Sequence, residues 1–188
     1  MGIALEIRRL SERDVTGTFS AGTHPDHVKL NEFFRRFAKQ SQRRGASVTY
    51  VACADGVIAG FVTIVGGAID PACIPEHTKG LGRYSQPVLV LARMATDERF
   101  QRRGVGDQLM RDVVFAEALC MVDRTGCLGV FVDPKPGAIT FYQRHGFATL
   151  PKTEEAEPTR MFLPMQTIRL AASRTPQPAS DTPRTAAL

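Results

Sequence analysis

Gln101-Arg102-Arg103-Gly104-Val105-Gly106 follows an apolar run, Val88 to Leu91 and on to Met94, and opens an amphipathic stretch. A buried strand that ends in a glycine-containing turn and enters a helix leaves unpaired backbone N–H groups at the helix N-terminus, where an anionic ligand can accept them. The two glycines let the backbone come close to the ligand. Gln101, Arg102 and Arg103 add donors and positive charge, so a pyrophosphate suits the turn better than one small anion. The competing reading is a strand-to-helix turn whose glycines serve geometry alone, since short glycine motifs match often by chance.

The 188 residues amount to about one domain, enough to bury a full core. With 43% hydrophobic and 23% charged residues the composition is that of an ordinary soluble globular protein. No apolar run approaches the roughly 20 residues of a membrane span. Glu6, Arg8 and Arg9 occupy the place of a signal peptide's apolar core, so a cytoplasmic location without a membrane partner is expected. Cys53, Cys73, Cys120 and Cys127 form no C-x-x-C pair and no metal-ligand spacing, so they are expected as reduced core thiols with no metal site. A net charge of +5 points weakly to a polyanionic partner, with a solvated basic surface as the alternative.

Along the chain, 3–10 is expected as a first strand. A helix over 29–43 follows, with Leu30, Phe33, Phe34, Phe37 and Ser41 inward and Arg35, Arg36, Lys39 and Arg43 outward. Segments 47–54 and 57–65 are β-rich and joined by Asp55-Gly56, a hairpin signal. The stretch 66–86, rich in Gly and Pro, is expected as a long loop, of the kind that is often functional. A central strand over 87–96 precedes a helix over 104–124 with Leu109, Val113, Ala116 and Cys120 on one face, stopped by Gly126. A buried strand over 127–132, a turn over 133–137, a short helix over 138–145 capped by Gly146, and strands over 148–150 and 160–168 complete the domain. Residues 1–170 are thus one domain, and 171–188, almost without apolar bulk, are expected as a disordered tail.

The glycine turn, taken with Phe141-Tyr142-Gln143-Arg144-His145-Gly146-Phe147, resembles the GNAT acetyltransferase family. The likeness extends over about 3–168. It implies the GNAT fold, an α/β (α+β) arrangement with a central mixed, largely antiparallel twisted sheet flanked by helices. It also implies acetyl-CoA as cosubstrate, bound by Gln101, Arg102, Arg103, Gly104, Val105 and Gly106. The backbone of Met94, Ala95 and Thr96 would pair with the pantetheine arm, and Tyr142 would be the acid for the leaving thiolate.

Within that family Phe19-Ser20-Ala21-Gly22, the helix Leu30-Asn31-Glu32-Phe33-Phe34-Arg35-Arg36-Phe37-Ala38, the segment Gly45-Ala46-Ser47-Val48-Thr49-Tyr50-Val51 and the ending Phe162-Leu163-Pro164-Met165 resemble the GNAT toxins of toxin–antitoxin pairs. Those relatives usually have Cys where Ala21 stands. The resemblance implies acetylation of the amino group of aminoacyl-tRNA, arrest of translation, a ribbon-helix-helix antitoxin and a homodimer.

Acetyl transfer to an amine needs a thioester held beside a neutral nucleophile, a donor for the developing oxyanion and an acid for the thiolate. A phenol, with an unperturbed pKa near about 10, stays protonated at neutral pH and can supply the last. Without the resemblance, core packing is the ordinary role for Tyr142. His145 suits a helix C-terminus; Asp97 and Glu98, beside the cofactor turn, could accept the amine proton through water, but are expected as solvated surface. Arg35, Arg36, Lys39 and Arg43 make a stripe fit for RNA phosphates or, equally, the wet side of an amphipathic helix. Two other functions stay open: acetylation of a small amine or a protein N-terminus, and a non-enzymatic module binding CoA or nucleic acid.

Overall fold

The computed structural model describes residues 3–152 and 158–174. Strand β1 (Glu6–Arg9) lies antiparallel to β2 (Val48–Ala54), which turns into β3 (Val57–Ile69). Asp55 and Gly56 make that turn with φ of 48° and 76°. Two successive positive φ angles match the right-handed strand twist, which is why an Asp-Gly pair specifies the hairpin. β3 pairs antiparallel with β4 (Gln86–Thr96), and β4 runs parallel to β5 (Gly129–Val132). β5 pairs antiparallel with β7 (Met161–Pro164), whose other edge carries the short β6 (Ala148–Thr149). The order β1-β2-β3-β4-β5-β7-β6 is the expected mixed, largely antiparallel sheet.

Alternation along the strands sends side chains to two cores. Ala52, Val62 and Leu91 join Leu109, Met110 and Val114 on one face, while Val51 and Phe61 join Phe19, Phe34 and Ala38 on the other. The first face is covered by α4 (Val105–Leu109), a π-helical stretch (Met110–Phe115) and α5 (Ala116–Arg124) in one continuous run. The second is covered by α1 (Pro25–Glu32), a π-helical stretch (Phe33–Phe37) and α2 (Ala38–Arg43).

Both long helices differ from their expected form. The first begins at Pro25, not residue 29: Pro25 fits the first turn, and the His24 ring accepts the Asp26 amide at 3.3 Å. Its buried positions are Asn31, Phe34 and Ala38, while Phe37 is 47% exposed. In the second helix Leu109 and Val113 are buried as expected, but the face then passes to Val114 and Ala118, and Ala116 is exposed. The cause is shared. A π turn takes one more residue than an α turn, and the inward face shifts past each one; the Ala38 amide, for example, bonds back to the Phe33 carbonyl.

The expected loop over 66–86 is largely structured. β3 continues through Gly66-Gly67 to Ile69, and a Cβ on Gly67 would lie 2.5 Å from Val90 Cγ2, so this glycine marks close cross-strand packing. Asp70 caps a 3-10 turn (Pro71–Cys73), α3 (Pro75–Thr78) follows, and only 79–85 stay irregular. The expected strand over 160–168 ends at Pro164, where α7 (Met165–Arg174) takes over after the short helix α6 (Ile139–Arg144). Met165 and Ile168, three residues apart, are both buried, a helical spacing. Helix α7 carries past residue 170; the rest of the expected tail, 175–188, lies outside the described residues. All four cysteines are free, and no described helix is long and apolar enough to cross a membrane.

Candidate active site

β4 and β5 share only the pairs Leu89↔Val130 and Val90↔Phe131. Just beyond, Thr63 faces Arg93 while Ile64 faces Leu91, so Ala92 is an extra residue that bulges β4. A bulge bends its strand and strengthens its twist. From Leu91 to Thr96 the β5-facing edge of β4 therefore lacks a strand partner, and the two strands splay. The gap is a cleft of about 740 Å³ with Met94, Ala95 and Thr96 on one wall and Val132, Pro134 and Tyr142 on the other. An unpartnered β edge offers an extended amide chain, such as pantetheine, a ladder of donors and acceptors.

The expected phosphate turn begins at Gln101, which lines this cleft. Gly104 is the residue before α4, with φ of 82°, and no side chain caps it, so the first-turn N–H groups have no protein acceptor from that position. Arg102 also has positive φ, 60°. Two expectations change here. A Cβ on Gly106 would meet the Phe141 ring at 3.3 Å, so this glycine lets α4 touch α6. The Gln101 carboxamide is already committed, donating to the Ala21 carbonyl at 3.0 Å. Arg103 leans over the Phe100 ring at 5.8 Å.

Tyr142 projects from α6 into the cleft and is 6% exposed. Its ring packs edge-to-face on Phe141 at 5.3 Å and Phe147 at 5.4 Å, and burial pushes its phenol well above the ordinary value. The hydroxyl has no hydrogen-bond partner among the described residues. Packing and chemistry thus coincide: the ring is core, and the oxygen is a fully protonated donor at the cleft. Beside it His145 Nε2 meets Asp107 Oδ1 at 2.9 Å, tying α6 to α4. Burial lowers the His145 pKa, and Asp107 opposes the shift.

Asp97 is not solvated surface, as expected from sequence, but fully buried. Burial alone would raise its pKa. The Arg99 guanidinium and the Ser20 and Arg99 amides outweigh that and hold it below the usual carboxylate value. Asn31 completes the fixing of this loop: its side chain accepts the Ala21 amide at 2.8 Å and donates to the Gly22 carbonyl at 3.0 Å.

Of the basic stripe, Arg35 donates to the Phe19 carbonyl at 2.7 Å, and Lys39 donates to the Glu12 and Asp14 carbonyls at 2.7 Å each. Both are tied to the loops beneath the helix. Arg36 and Arg43 point outward, with carboxylates no closer than 3.7 Å. Sequence reasoning missed the far wall of the cleft, where α1 brings His24, Asp26 and His27 opposite Lys135, with Arg93 beside them. Asp26 lies 3.8 Å from Lys135. The available signal was the close spacing of His24, Asp26 and His27 directly after the Phe19–Gly22 loop.

The acetyltransferase (GNAT) domain family matches residues 45–149. Over 163 residues the chain is 28% identical to a tRNA-acetylating toxin of Mycobacterium tuberculosis (strain ATCC 25618 / H37Rv), covering 86% of this chain and 93% of that protein. It is 27% identical over 154 residues to a probable toxin TacT of Sinorhizobium fredii (strain NBRC 101917 / NGR234), covering 76% and 82%. Among solved structures, AtaT complexed with acetyl-methionyl-tRNAfMet superposes with a TM-score of 0.75 at 25% identity, covering 90% of this chain and 99% of that one.

Proposed function

The chain belongs to the GNAT acetyltransferase family, and on that premise we propose that it is a toxin that moves the acetyl group of acetyl-CoA onto the free α-amino group of aminoacyl-tRNA. An N-acetylated aminoacyl group has lost the nucleophile that peptide-bond formation needs, so translation stops. The observation that carries this reading is the likeness, along 86% of the chain, to a tRNA-acetylating toxin.

The residues present fit the cosubstrate. The open edge of β4 at Met94, Ala95 and Thr96 takes the pantetheine arm, and the turn from Arg102 to Gly106 takes the pyrophosphate. Backbone N–H of the same β4 segment stabilises the developing oxyanion. The amine nitrogen attacks the thioester carbonyl carbon, the C–S bond breaks, and Tyr142 Oη donates its proton to the departing sulfur. The proton lost by the amine leaves to solvent and returns by the same route to the phenolate. Arg36 and Arg43 form the basic surface for the RNA, while Arg35 and Lys39 hold the loops beneath the helix.

The toxin reading extends to an antitoxin of ribbon-helix-helix type, to a homodimer and to a cytoplasmic site of action, all of which fit a protein that acts on tRNA. Incubation of the protein with labelled acetyl-CoA, charged tRNA, small amines and peptides tests the proposal. Label in the aminoacyl group is expected. Label confined to small amines or peptide N-termini would overturn it.

A further inference from the structure

β4 sends alternate side chains to the two faces of the sheet, and this sorts the walls of the cleft. Met94 packs toward the core under α4, and Ala95 packs toward the core under α1. Arg93, in phase with Ala95, stands on the α1 side. Its guanidinium lies 3.9 Å over the centroid of the Phe33 ring, and no carboxylate or carbonyl among the described residues pairs with it. A cation held on an aromatic face is oriented without being neutralised. The pyrophosphate turn is on the opposite face, so Arg93 awaits a different anion.

One turn along the helix from Phe33, Phe37 leaves 47% of its surface in water, an unusual place for a large apolar ring. Arg36 beside it has 73% of its side chain exposed. Cations interleaved with a flat exposed ring suit an unpaired nucleic-acid strand, which presents phosphodiesters and bare base faces together. A small amine needs neither group.

We infer that Arg93, Phe33, Phe37 and Arg36 form the groove for the unpaired 3′ end of the acceptor strand, Arg93 on the phosphodiester nearest the reacting amine and Phe37 under a base. This rests on the reading of aminoacyl-tRNA as acceptor. The groove is separate from Arg35 and Lys39, whose charges already serve loop carbonyls.

The test compares wild type with Phe37→Ala, Phe37→Tyr, Arg93→Gln and Arg93→Lys in steady-state acetylation of aminoacyl-tRNA at several salt concentrations. Phe37→Ala should raise KM for aminoacyl-tRNA by roughly 5- to 150-fold, the range for one base–aromatic stack, and Phe37→Tyr should restore it. Arg93→Gln should reduce the log–log salt slope of tRNA binding by about 0.7, the single-strand value for one contact, and Arg93→Lys should keep the slope. Affinity for acetyl-CoA and melting temperature should stay those of wild type in both Phe37 variants. Normal acetylation with wild-type KM and slope in Phe37→Ala and Arg93→Gln would overturn the groove alone. Failure of the wild-type protein to acetylate any aminoacyl-tRNA would overturn the proposed function, and the groove with it.

Discussion

The Asp97 carboxylate accepts the Ser20 amide at 3.0 Å, joining residues 77 apart in sequence at the end of β4. The Glu98 amide donates back to the Ser20 carbonyl at 2.7 Å. The first loop is thereby locked against the strand that carries the cleft edge, and its neighbour Ala21 is held by Gln101 and Asn31. A buried carboxylate with so many donors is a structural anchor for this end of the cleft.

Asp97→Asn should therefore cost about 1–3 kcal/mol, because one carboxylate oxygen that faces donors becomes an NH₂ group. A domain of this size loses about 2–4 °C in Tm for each kcal/mol. Folding holds Asp97 below the ordinary carboxylate value, so its contribution is fully present above about pH 4 and fades as pH falls through the lower folded value. Thermal melts at pH 7 and in the acid range should show the two proteins separated at neutral pH and converging in acid.

Gly104→Asp is expected to abolish acetyl-CoA binding while the fold survives. A Cβ at Gly104 meets nothing within 4 Å, so the substitution does not clash, although the φ of 82° costs a residue with a side chain about 1–2 kcal/mol. The carboxylate would occupy the N-terminus that the pyrophosphate needs. Calorimetry should show no heat of binding beside a native circular dichroism spectrum, and Gly104→Ala, which adds no charge, should keep much of the affinity.

Tyr142→Phe removes the hydroxyl and keeps the ring that packs on Phe141 and Phe147. Turnover should fall by about 10² to 10⁴ with unchanged acetyl-CoA affinity, and growth arrest should disappear. Because burial raises the phenol's pKa, the wild-type pH profile should show no loss of Tyr142 activity below about pH 10.

The helix charges divide by what they touch. Arg36→Glu with Arg43→Glu should weaken tRNA binding and reduce its log–log salt slope by about 0.7 to 0.9 per contact, the single-strand and duplex values, with Tm unchanged. Arg35→Ala should instead lower Tm, because the Phe19 carbonyl loses its guanidinium donor. Equal effects of all three changes on tRNA binding alone would return Arg35 to the RNA surface.

What was legible in the sequence was local. Asp55-Gly56 fixed its hairpin, and the run from Val88 through Gly106 showed strand, turn and helix in order, because each depends on neighbours in the chain. The π turns at Phe33–Phe37 and Met110–Phe115 left no such mark, and a one-residue shift was enough to misplace Phe37 and Ala116. Gly66-Gly67 looked like a loop because the partner that requires a small residue, Val90, lies across the sheet. Asp97 and Arg93 were misjudged or missed for the same reason. Their partners, Ser20 and Phe33, come from a distant helix and loop that only the folded sheet brings near.

The Asp107–His145 contact makes the last prediction. His145 lies one turn beyond Tyr142 in the chain, and its Nε2 reaches Asp107 in the first turn of α4, so the pair ties the helix of Tyr142 to the helix that follows the glycine turn. Burial holds the His145 pKa below its ordinary value. Folding thus favours the neutral ring: its contribution to stability is fully present above about pH 6.5 and fades as pH falls through the lower folded value. The neutral ring donates its Nε2 proton to the carboxylate. NMR titration should place the His145 midpoint below about 6.5, and Asp107→Asn should move it lower still, because the carboxylate that favours the charged ring is gone. The same variant should lose turnover and acetyl-CoA affinity together, unlike Tyr142→Phe, which loses turnover alone. A His145 midpoint unmoved by Asp107→Asn would show that the two side chains are not paired in solution.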